Sequence, residues 1–360
     1  MNRIEVEKDE PQEAQPAEPL SAAERQKKWL RRAGLIGLGA AGSLGLAIGA
    51  ACYPLSGLLV RPRLKRLSQL KSPHLRHLLS RRKIDFEDIT IPSFDGTRLH
   101  GWWMPSGVDA PTVVVLHGVK KNRTDVLRAA LALRQAGLNV LIFDGRGHGN
   151  SEGRYVTYGF YERRDVETAI EWLVAEKKID RNCVGLAGES MGAAIALQVA
   201  ARNEWIRAVW ADSPFASLRR VSEEFLRRVT HLPDAVLNPV IWTTMQFANY
   251  RGNFDVKAVD PLSLAAGIKC PVYLVHGTAD QLIATAHSQN IFDALGGDKE
   301  MWFVEGARHA RSVRHAKREY SERLVSFFTR KLKSNAPGAT HQIEGNRDSS
   351  HSSVSPSGSM

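Results

Sequence analysis

A single short turn limits the possible folds of this chain more than any other segment: Gly188-Glu189-Ser190-Met191-Gly192. An apolar run that predicts a strand, residues 183–187, leads into it, and small residues that predict a helix, 193–197, follow it. The glycines fit a turn so sharp that side chains there would crowd the strand or the helix. The motif alone is also compatible with a glycine-rich turn and a surface serine. Its flanks favour a serine hydroxyl held outward at a sheet edge, beside the positive end of a helix dipole.

Strand-like and helix-like segments alternate downstream of residue 84, and this alternation predicts the fold class. Asp95-Gly96 lies between two strand-like segments, residues 88–94 and 97–104, as in a β-hairpin. Further strands are predicted at residues 113–116, 140–143, 183–187, 206–211 and 300–304 and in the run that begins at Pro271, with helices at 123–136 and 161–176, from Met191, and at about 285–295. This pattern is typical of an α/β fold with a mainly parallel sheet and helices on both faces.

The alternation stops at about residues 213–266, where two or three helices are predicted, with breaks at Pro233 and Pro239. We expect this stretch to form a helical cap over the site. Four of its large apolar side chains either line an acyl pocket or pack the cap onto the sheet: Trp242, Met245, Phe247 and Tyr250.

Two further side chains follow predicted strands in the order that a serine nucleophile of this kind requires. Such a serine needs a general base, an acid that orients the base, and an oxyanion hole. Asp280 comes soon after the run that begins at Pro271, and His309 comes soon after residues 300–304. Because parallel strands place their carboxyl ends at one edge of the sheet, we expect both side chains to lie near Ser190.

Taken together, these segments resemble the α/β-hydrolase superfamily, close to its serine aminopeptidase-like, Bem46-like branch. The resemblance covers residues 84–333 and rests on five motifs in the family's order: His117-Gly118, the loop from Asp144 to Gly153, the turn at Ser190, the turn from His276 to Asp280, and His309. It implies an α/β-hydrolase fold, with Ser190 as the nucleophile, Asp280 as the orienting acid and His309 as the general base. It also implies an oxyanion hole formed by the backbone N–H groups of Met191 and Val119.

Other polar residues compete for these roles. Asp212 also ends a strand-like run, and some relatives of this fold carry the acid there; otherwise it is a turn carboxylate that caps a helix beginning near Ser217. The Glu189 side chain is expected to point away from Ser190. Turn packing or a supporting hydrogen bond is favoured over catalysis for three histidines next to glycines, His117, His148 and His276.

The expected activity is that of a serine hydrolase, which cleaves an acyl ester, thioester or amide through an acyl-enzyme intermediate. A carboxylesterase-type activity on a small or lipid-like acyl substrate is favoured, and this chemistry implies no metal ion and no organic cofactor. One alternative is a peptidase of the serine aminopeptidase type, in which Glu223 and Glu224 hold a free amine, although a solvated helix face also explains them. The other is a catalytically silent membrane scaffold.

The chain has 360 residues, more than one hydrolase domain needs, and its N-terminal part has a different composition. Residues 33–60 contain no charged side chain, which predicts a single transmembrane helix and a single-pass membrane protein. Basic residues on both sides leave its orientation open. A cleaved signal peptide and lipidation at Cys52 are the alternatives. Residues 1–32 and 334–360 are predicted to be disordered tails.

Residues 61–83 carry nine Lys or Arg side chains and no Asp or Glu, which accounts for most of the net charge of +11. We expect this tract to lie against anionic lipid headgroups. Nucleic-acid binding is disfavoured because no aromatic stacking pattern accompanies the charge. The three cysteines give no disulfide framework, and buried thiols are expected at Cys183 and Cys270. The sequence leaves the oligomeric state open.

Overall fold

An eight-stranded, mostly parallel β-sheet forms the centre of the computed structural model, which describes residues 22–61, 85–230 and 233–333. The strands are β1 (Glu87–Pro92), β2 (Arg98–Met104), β3 (Thr112–Leu116), β4 (Asn139–Phe143), β5 (Val184–Glu189), β6 (Ile206–Asp212), β7 (Val272–Gly277) and β8 (Lys299–Val304). Their order in the sheet is β1-β2-β4-β3-β5-β6-β7-β8. β2 is antiparallel to both of its neighbours, and all other neighbouring strands are parallel. The predicted α/β fold class and the hairpin at Asp95-Gly96 are confirmed.

Helices cover both faces of this sheet. In chain order the helices are α1 (Ala22–Val60), α2 (Leu127–Gln135), α3 (Glu162–Lys177), α4 (Met191–Ala200), α5 (Leu218–Thr230), α6 (Asp234–Gly252), α7 (Pro261–Leu264), α8 (Thr285–Ala294), α9 (Ser312–His315) and α10 (Lys317–Lys333). Every residue of β3 is buried, and successive side chains point to opposite faces. Val114 packs in one core with α3, α4 and α8, whereas Val113 packs in the other with α2 and α10. This double burial explains why the central strands are continuous apolar runs.

Helices form the stretch between β6 and β7 in which the sequence predicts a cap. It contains α5, α6 and α7, and Pro233 forms the N-terminal boundary of α6. The break predicted at Pro239 is wrong, because α6 runs through this residue. Proline removes one backbone hydrogen bond near the start of this helix. A buried face holds the helix on the domain nevertheless, and it includes Leu237, Ile241, Met245 and Ala248.

The four large apolar side chains expected either to line an acyl pocket or to pack the cap onto the sheet face inward only in part. Met245 is buried in the core of the cap. Trp242 and Tyr250 lie on the outer side of α6 and are 65% and 82% exposed, so the prediction is wrong for both. Phe247 is half-buried, and its ring centroid lies 5.4 Å from that of Tyr53 in an edge-to-face packing contact.

The N-terminal helix α1 differs from the sequence-based expectation. It begins at Ala22, inside the stretch predicted to be a disordered tail. Across the described residues, no helix combines the length and the apolar character that crossing a membrane requires. The transmembrane helix predicted at residues 33–60 is therefore not found.

The compact unit that contains the sheet begins at Cys52, so it includes the last turns of α1. The hydroxyl of Tyr158 donates to the carbonyl oxygen of Leu59 at 3.0 Å. The N–H group of Val156 donates to the carbonyl oxygen of Val60 at 2.9 Å. These contacts join the end of α1 to the segment that precedes α3.

Several predictions concern residues outside the described ranges. These are the basic tract beyond Arg61, at residues 62–83, and the tails at 1–21 and 334–360. Contact with lipid headgroups stays a prediction of the sequence. The thiols of Cys183 and Cys270 are free and buried, as predicted, and so is the thiol of Cys52.

Candidate active site

Ser190 lies in a sharp turn between β5 and α4. Its φ is +54°, a conformation that costs free energy for any residue with a Cβ atom. A Cβ atom added to Gly188 would lie 2.3 Å from the carbonyl carbon of Gly192, and one added to Gly192 would lie 2.3 Å from the carbonyl oxygen of Leu116. The turn therefore requires both glycines, as the sequence predicts. Its result is a serine hydroxyl held at the carboxyl edge of the sheet.

The imidazole of His309 lies between Ser190 and Asp280. Its Nδ1 atom is 2.7 Å from Oδ2 of Asp280, and its Nε2 atom is 2.8 Å from Oγ of Ser190. Because an ionised carboxylate only accepts hydrogen bonds, Nδ1 carries the ring proton and Nε2 accepts from the serine hydroxyl. The structure thus brings together the three side chains that the sequence singles out, from turns after β5, β7 and β8.

Asp280 is held in place by four donors. Its Oδ1 atom accepts the N–H groups of Leu282 and Ile283, both at 2.9 Å. Its Oδ2 atom lies 2.7 Å from Nδ1 of His309 and 3.2 Å from Nε2 of His276. Burial alone would raise the pKa of Asp280, but the hydrogen bonds from the two histidines and from Ile283 outweigh it and lower this pKa below its usual range. The carboxyl group is therefore ionised at neutral pH.

The turn that carries Asp280 is fastened to the loop that carries His309. The N–H group of Thr278 donates to the carbonyl oxygen of Val304 at 3.0 Å. The N–H group of Ala279 donates to the carbonyl oxygen of Ala307 at 3.0 Å. A Cβ atom at Gly277 would lie 2.2 Å from the same Ala307 carbonyl oxygen, so only glycine permits this approach. These contacts fix the distance between the carboxylate and the imidazole.

The two segments predicted to form an oxyanion hole meet at Ser190. Met191 is the first residue of α4, so its N–H group has no acceptor within the helix. Gly118 lies on the other side, where an added Cβ atom would be 3.3 Å from the Cβ atom of Ser190. Val119, which follows, is half-buried. The structure thus brings the turn of Val119 against the turn of Met191.

Asp212, the alternative acid, lies at the end of β6, and its carboxylate has other partners. Its Oδ1 atom accepts the hydroxyl groups of Ser213 at 3.0 Å and of Ser312 at 3.1 Å. Its backbone carbonyl oxygen accepts the N–H group of Ser190 at 2.8 Å. Burial raises the pKa of Asp212. The Asp212 carboxylate therefore does not cap a helix near Ser217, which is the other role that the sequence allows for it. Asp280, and not Asp212, makes the direct contact with His309.

Three further histidines occupy supporting positions, as predicted. Nε2 of His276 lies 3.0 Å from the carbonyl oxygen of Ile283 and must donate to it, which also aims this proton toward Asp280. His117 donates from Nδ1 to the carbonyl oxygen of Gly118 at 2.8 Å. The ring of His148 packs edge-to-face against the ring of His117, with 4.9 Å between the ring centroids. His117 directly precedes Gly118 and Val119 in the chain, so it lies next to the segment that carries Val119.

The pair His117 and His148 makes the folded protein sensitive to acid. Burial lowers the pKa of His117 to about 4, and burial together with the charge on His117 lowers that of His148 to about 3, from the ordinary 6.5. Between pH 6.5 and about 4 the unfolded chain binds protons that the folded chain does not. The contribution of these groups to stability is therefore complete above pH 6.5 and falls as the pH falls.

We expect the melting temperature to drop as the pH is lowered from about 6.5 to about 4, and to drop less steeply in His148→Gln. Thermal unfolding followed by circular dichroism at several pH values measures both slopes. Equal slopes in the two proteins would contradict the assignment of this sensitivity to the pair.

A link between the cap and α8, the helix that carries His287, has no signal in the sequence. Nε2 of His287 donates to Glu224 at 2.7 Å, and Nδ1 of His287 accepts the N–H group of Ala216 at 2.9 Å. Glu223 and Glu224 also pair with arginines of their own helix, Arg219 and Arg220. In the described ranges, no cluster of three or more His, Cys, Asp or Glu side chains has the arrangement of a metal site.

Comparisons with known proteins agree with this architecture. The sequence matches the prolyl oligopeptidase family over residues 125–335. The uncharacterized protein YqkD of Bacillus subtilis is 30% identical over 240 residues, which cover 66% of this chain and 77% of YqkD. The esterase Pf2001 of Pyrococcus furiosus has a similar structure, with a TM-score of 0.58 and 27% identity over 71% of this chain and 96% of that one.

A second solved structure, the acylaminoacyl peptidase of Pyrococcus horikoshii, has a TM-score of 0.54. It is 19% identical over 72% of this chain and 44% of its own, so this likeness concerns the fold alone. The strand–turn–helix at Ser190, the mainly parallel sheet and the match over more than half of the chain lead to one assignment. The chain belongs to the prolyl oligopeptidase family and is an α/β-hydrolase enzyme.

Proposed function

We propose that the protein is a carboxylesterase-type serine hydrolase in which Ser190, His309 and Asp280 form the catalytic triad. The observation that carries the proposal is the position of His309, with one ring nitrogen 2.7 Å from a carboxylate and the other 2.8 Å from a serine hydroxyl. This arrangement matches the roles of base, orienting acid and nucleophile. The substrate is a small or lipid-like acyl ester.

The first half of the reaction forms an acyl-enzyme. Oγ of Ser190 attacks the acyl carbonyl carbon while its proton passes to Nε2 of His309. Asp280 keeps the ring in the correct tautomer and stabilises the imidazolium that forms. The carbonyl oxygen becomes negatively charged and accepts hydrogen bonds from the N–H groups of Met191 and Val119, each commonly worth about 3–4 kcal/mol. The ester C–O bond then breaks, and His309 returns the proton to the leaving alcohol.

The second half releases the acid. A water molecule attacks the acyl-enzyme while its proton passes to the same nitrogen of His309. The bond between the acyl carbon and Oγ of Ser190 breaks, and the serine recovers its proton from the imidazolium. The enzyme returns to its starting state without any cofactor.

A peptidase acting on short peptides is the second candidate, and the family match favours it. A free peptide amine requires an available carboxylate, and the sequence offers Glu223 and Glu224 for this role. Each lies within 2.7–2.8 Å of an arginine nitrogen of its own helix. Glu224 also accepts a hydrogen bond from buried His287 at 2.7 Å. These existing partners favour an ester substrate over an aminoacyl one.

We expect kcat/KM to be at least about 10²-fold higher for simple acyl p-nitrophenyl esters than for aminoacyl p-nitrophenyl esters, which share the leaving group, because a desolvated ammonium group without a free carboxylate binds poorly. A series of esters with increasing acyl length measures the preference. The reverse order of activity, together with a higher KM for the aminoacyl esters alone in Glu224→Gln, would establish the peptidase instead. Complete inactivity toward both substrate classes and toward a fluorophosphonate probe would indicate the silent scaffold.

A further inference from the structure

The turn that carries Val119 is strained. The N–H group of Lys121 donates to the carbonyl oxygen of Gly118 at 3.3 Å and closes a four-residue turn. Lys120, the third residue of this turn, has a φ of +62°, which is unfavourable for a residue with a side chain. Such a conformation persists only when surrounding contacts hold it. The orientation of the Val119 N–H group therefore depends on what fastens this turn.

One ion pair fastens the turn to the segment that carries the nucleophile. Nζ of Lys121 lies 2.6 Å from Oε1 of Glu189, the residue directly before Ser190. The side chain of Lys121 is 27% exposed and that of Glu189 is 8% exposed. Charges this well shielded from water attract each other more strongly than those of a surface pair. The contact joins residues far apart in the sequence, so it holds two separate segments together.

The lysine stem also runs along the contact between the two segments. A Cβ atom added to Gly118 would lie 3.3 Å from the Cβ atom of Ser190 and 3.7 Å from Cδ of Lys121. Lys121 thus packs at the place where the turn of Val119 meets Ser190. Burial raises the pKa of Glu189, and the neighbouring Lys121 opposes this rise. The lysine therefore favours the charged form of the carboxyl group with which it pairs.

We propose that Lys121 and Glu189 are positioning residues that set the distance between the two oxyanion-hole donors, the N–H groups of Val119 and Met191. This inference rests on the proposed function, because an oxyanion hole is needed only for acyl transfer. Neither side chain touches the substrate; each acts through the backbone next to it. Donors must lie about 2.7–3.1 Å from the developing oxyanion, and a misplacement of about 1 Å can lower the rate by about 10²-fold.

The matched control is a second Lys–Glu pair far from the turn at Ser190. Nζ of Lys177 lies 2.7 Å from Oε2 of Glu87, where the end of α3 meets β1, and these side chains are 21% and 54% exposed. Lys177→Met and Glu87→Gln remove the same kind of contact at nearly the same distance. A general effect of losing an ion pair would appear at both places, whereas a positioning effect appears only at Lys121 and Glu189.

The test compares Lys121→Met, Lys121→Arg and Glu189→Gln with wild-type protein on a p-nitrophenyl ester. We expect Lys121→Met and Glu189→Gln each to lower kcat by about 10- to 100-fold with KM within about threefold of wild type. The inhibition constant of a trifluoromethyl ketone, which forms a tetrahedral adduct, should rise by the same factor as kcat/KM falls. Lys121→Arg should keep most of the activity, and the control variants should match wild type.

Several outcomes overturn the proposal. One is a kcat for Lys121→Met within about twofold of wild type, even if the melting temperature falls. Another is a loss of kcat with no change in the inhibition constant of the ketone. If Glu189→Gln does not fold, the kinetics of Lys121→Met alone test the proposal. This variant is expected to fold because the Lys121 side chain is partly exposed. If Ser190→Ala hydrolyses the ester as fast as wild type, the proposed function itself is disproved. If hydrolysis depends on Ser190 but Lys121→Met has wild-type kcat, only the positioning role is disproved.

Discussion

Ser190→Ala is expected to lower kcat for ester hydrolysis by about 10⁶-fold, because removing the nucleophile of a triad removes the acyl-enzyme route altogether. The remaining rate would come from substrate binding and the oxyanion hole alone. Initial rates on a p-nitrophenyl ester at saturating concentration measure the effect. KM is expected to change little, since the hydroxyl acts in the transition state more than in binding.

Ser321→Ala is a suitable control for this experiment. The Ser321 hydroxyl donates to the carbonyl oxygen of Lys317 within α10. Its removal should leave kcat unchanged. A Ser190→Ala protein that retains more than about a hundredth of the wild-type kcat would mean that another group is the nucleophile.

Asp280→Asn is expected to lower kcat by about 10⁴-fold while the protein stays folded. The amide has nearly the same shape as the carboxylate, but it cannot favour the Nδ1–H tautomer of His309 or stabilise the imidazolium. Asp212→Asn is the matched variant, since Asp212 is also buried and lies in the same region. Its carboxylate is engaged by two serine hydroxyl groups, so we expect a loss of less than about tenfold.

Steady-state kinetics of both variants on one ester, with melting temperatures as a check on folding, decide between the two acids. A loss of about 10⁴-fold in Asp212→Asn, with Asp280→Asn still active, would reverse the assignment. A similar large loss in both would mean that the two carboxylates act as a unit.

The sheet and the residues at its edge are well predicted from the sequence because both depend on local patterns. A strand is predicted at residues 183–187 and is observed at Val184–Glu189, so the strand itself is confirmed, although it starts one residue later and ends two residues later. Ser190 is recognised because two glycines in a short turn leave a clear signal. Asp280 and His309 are recognised because each follows an apolar strand, and parallel strands bring such turns together.

The errors arise where tertiary contacts outweigh local preference. Pro239 predicts a break in the cap, yet the buried side of α6 keeps the helix continuous. Trp242 and Tyr250 have the size and polarity of pocket residues, but the orientation of α6 places them outside. An apolar composition does not tell which side of a helix faces the core when most of its sides are apolar.

Contacts between distant charged residues leave no local signal. Lys121 and Glu189 are 68 positions apart, and Glu224 and His287 are 63 positions apart. Each residue alone is compatible with an exposed side chain. Only the packing of the turn after β3 on the end of β5 makes Lys121 a partner of Glu189.

Mass spectrometry of the protein after reaction with a fluorophosphonate tests the central claim most directly, because the reagent phosphonylates a serine that an adjacent base activates. We predict one adduct per chain, located on the peptide that contains Ser190. Labelling should be lost in Ser190→Ala and greatly slowed in His309→Ala. An adduct on a different residue, or undiminished labelling of Ser190→Ala, would contradict the assignment of Ser190 as the nucleophile.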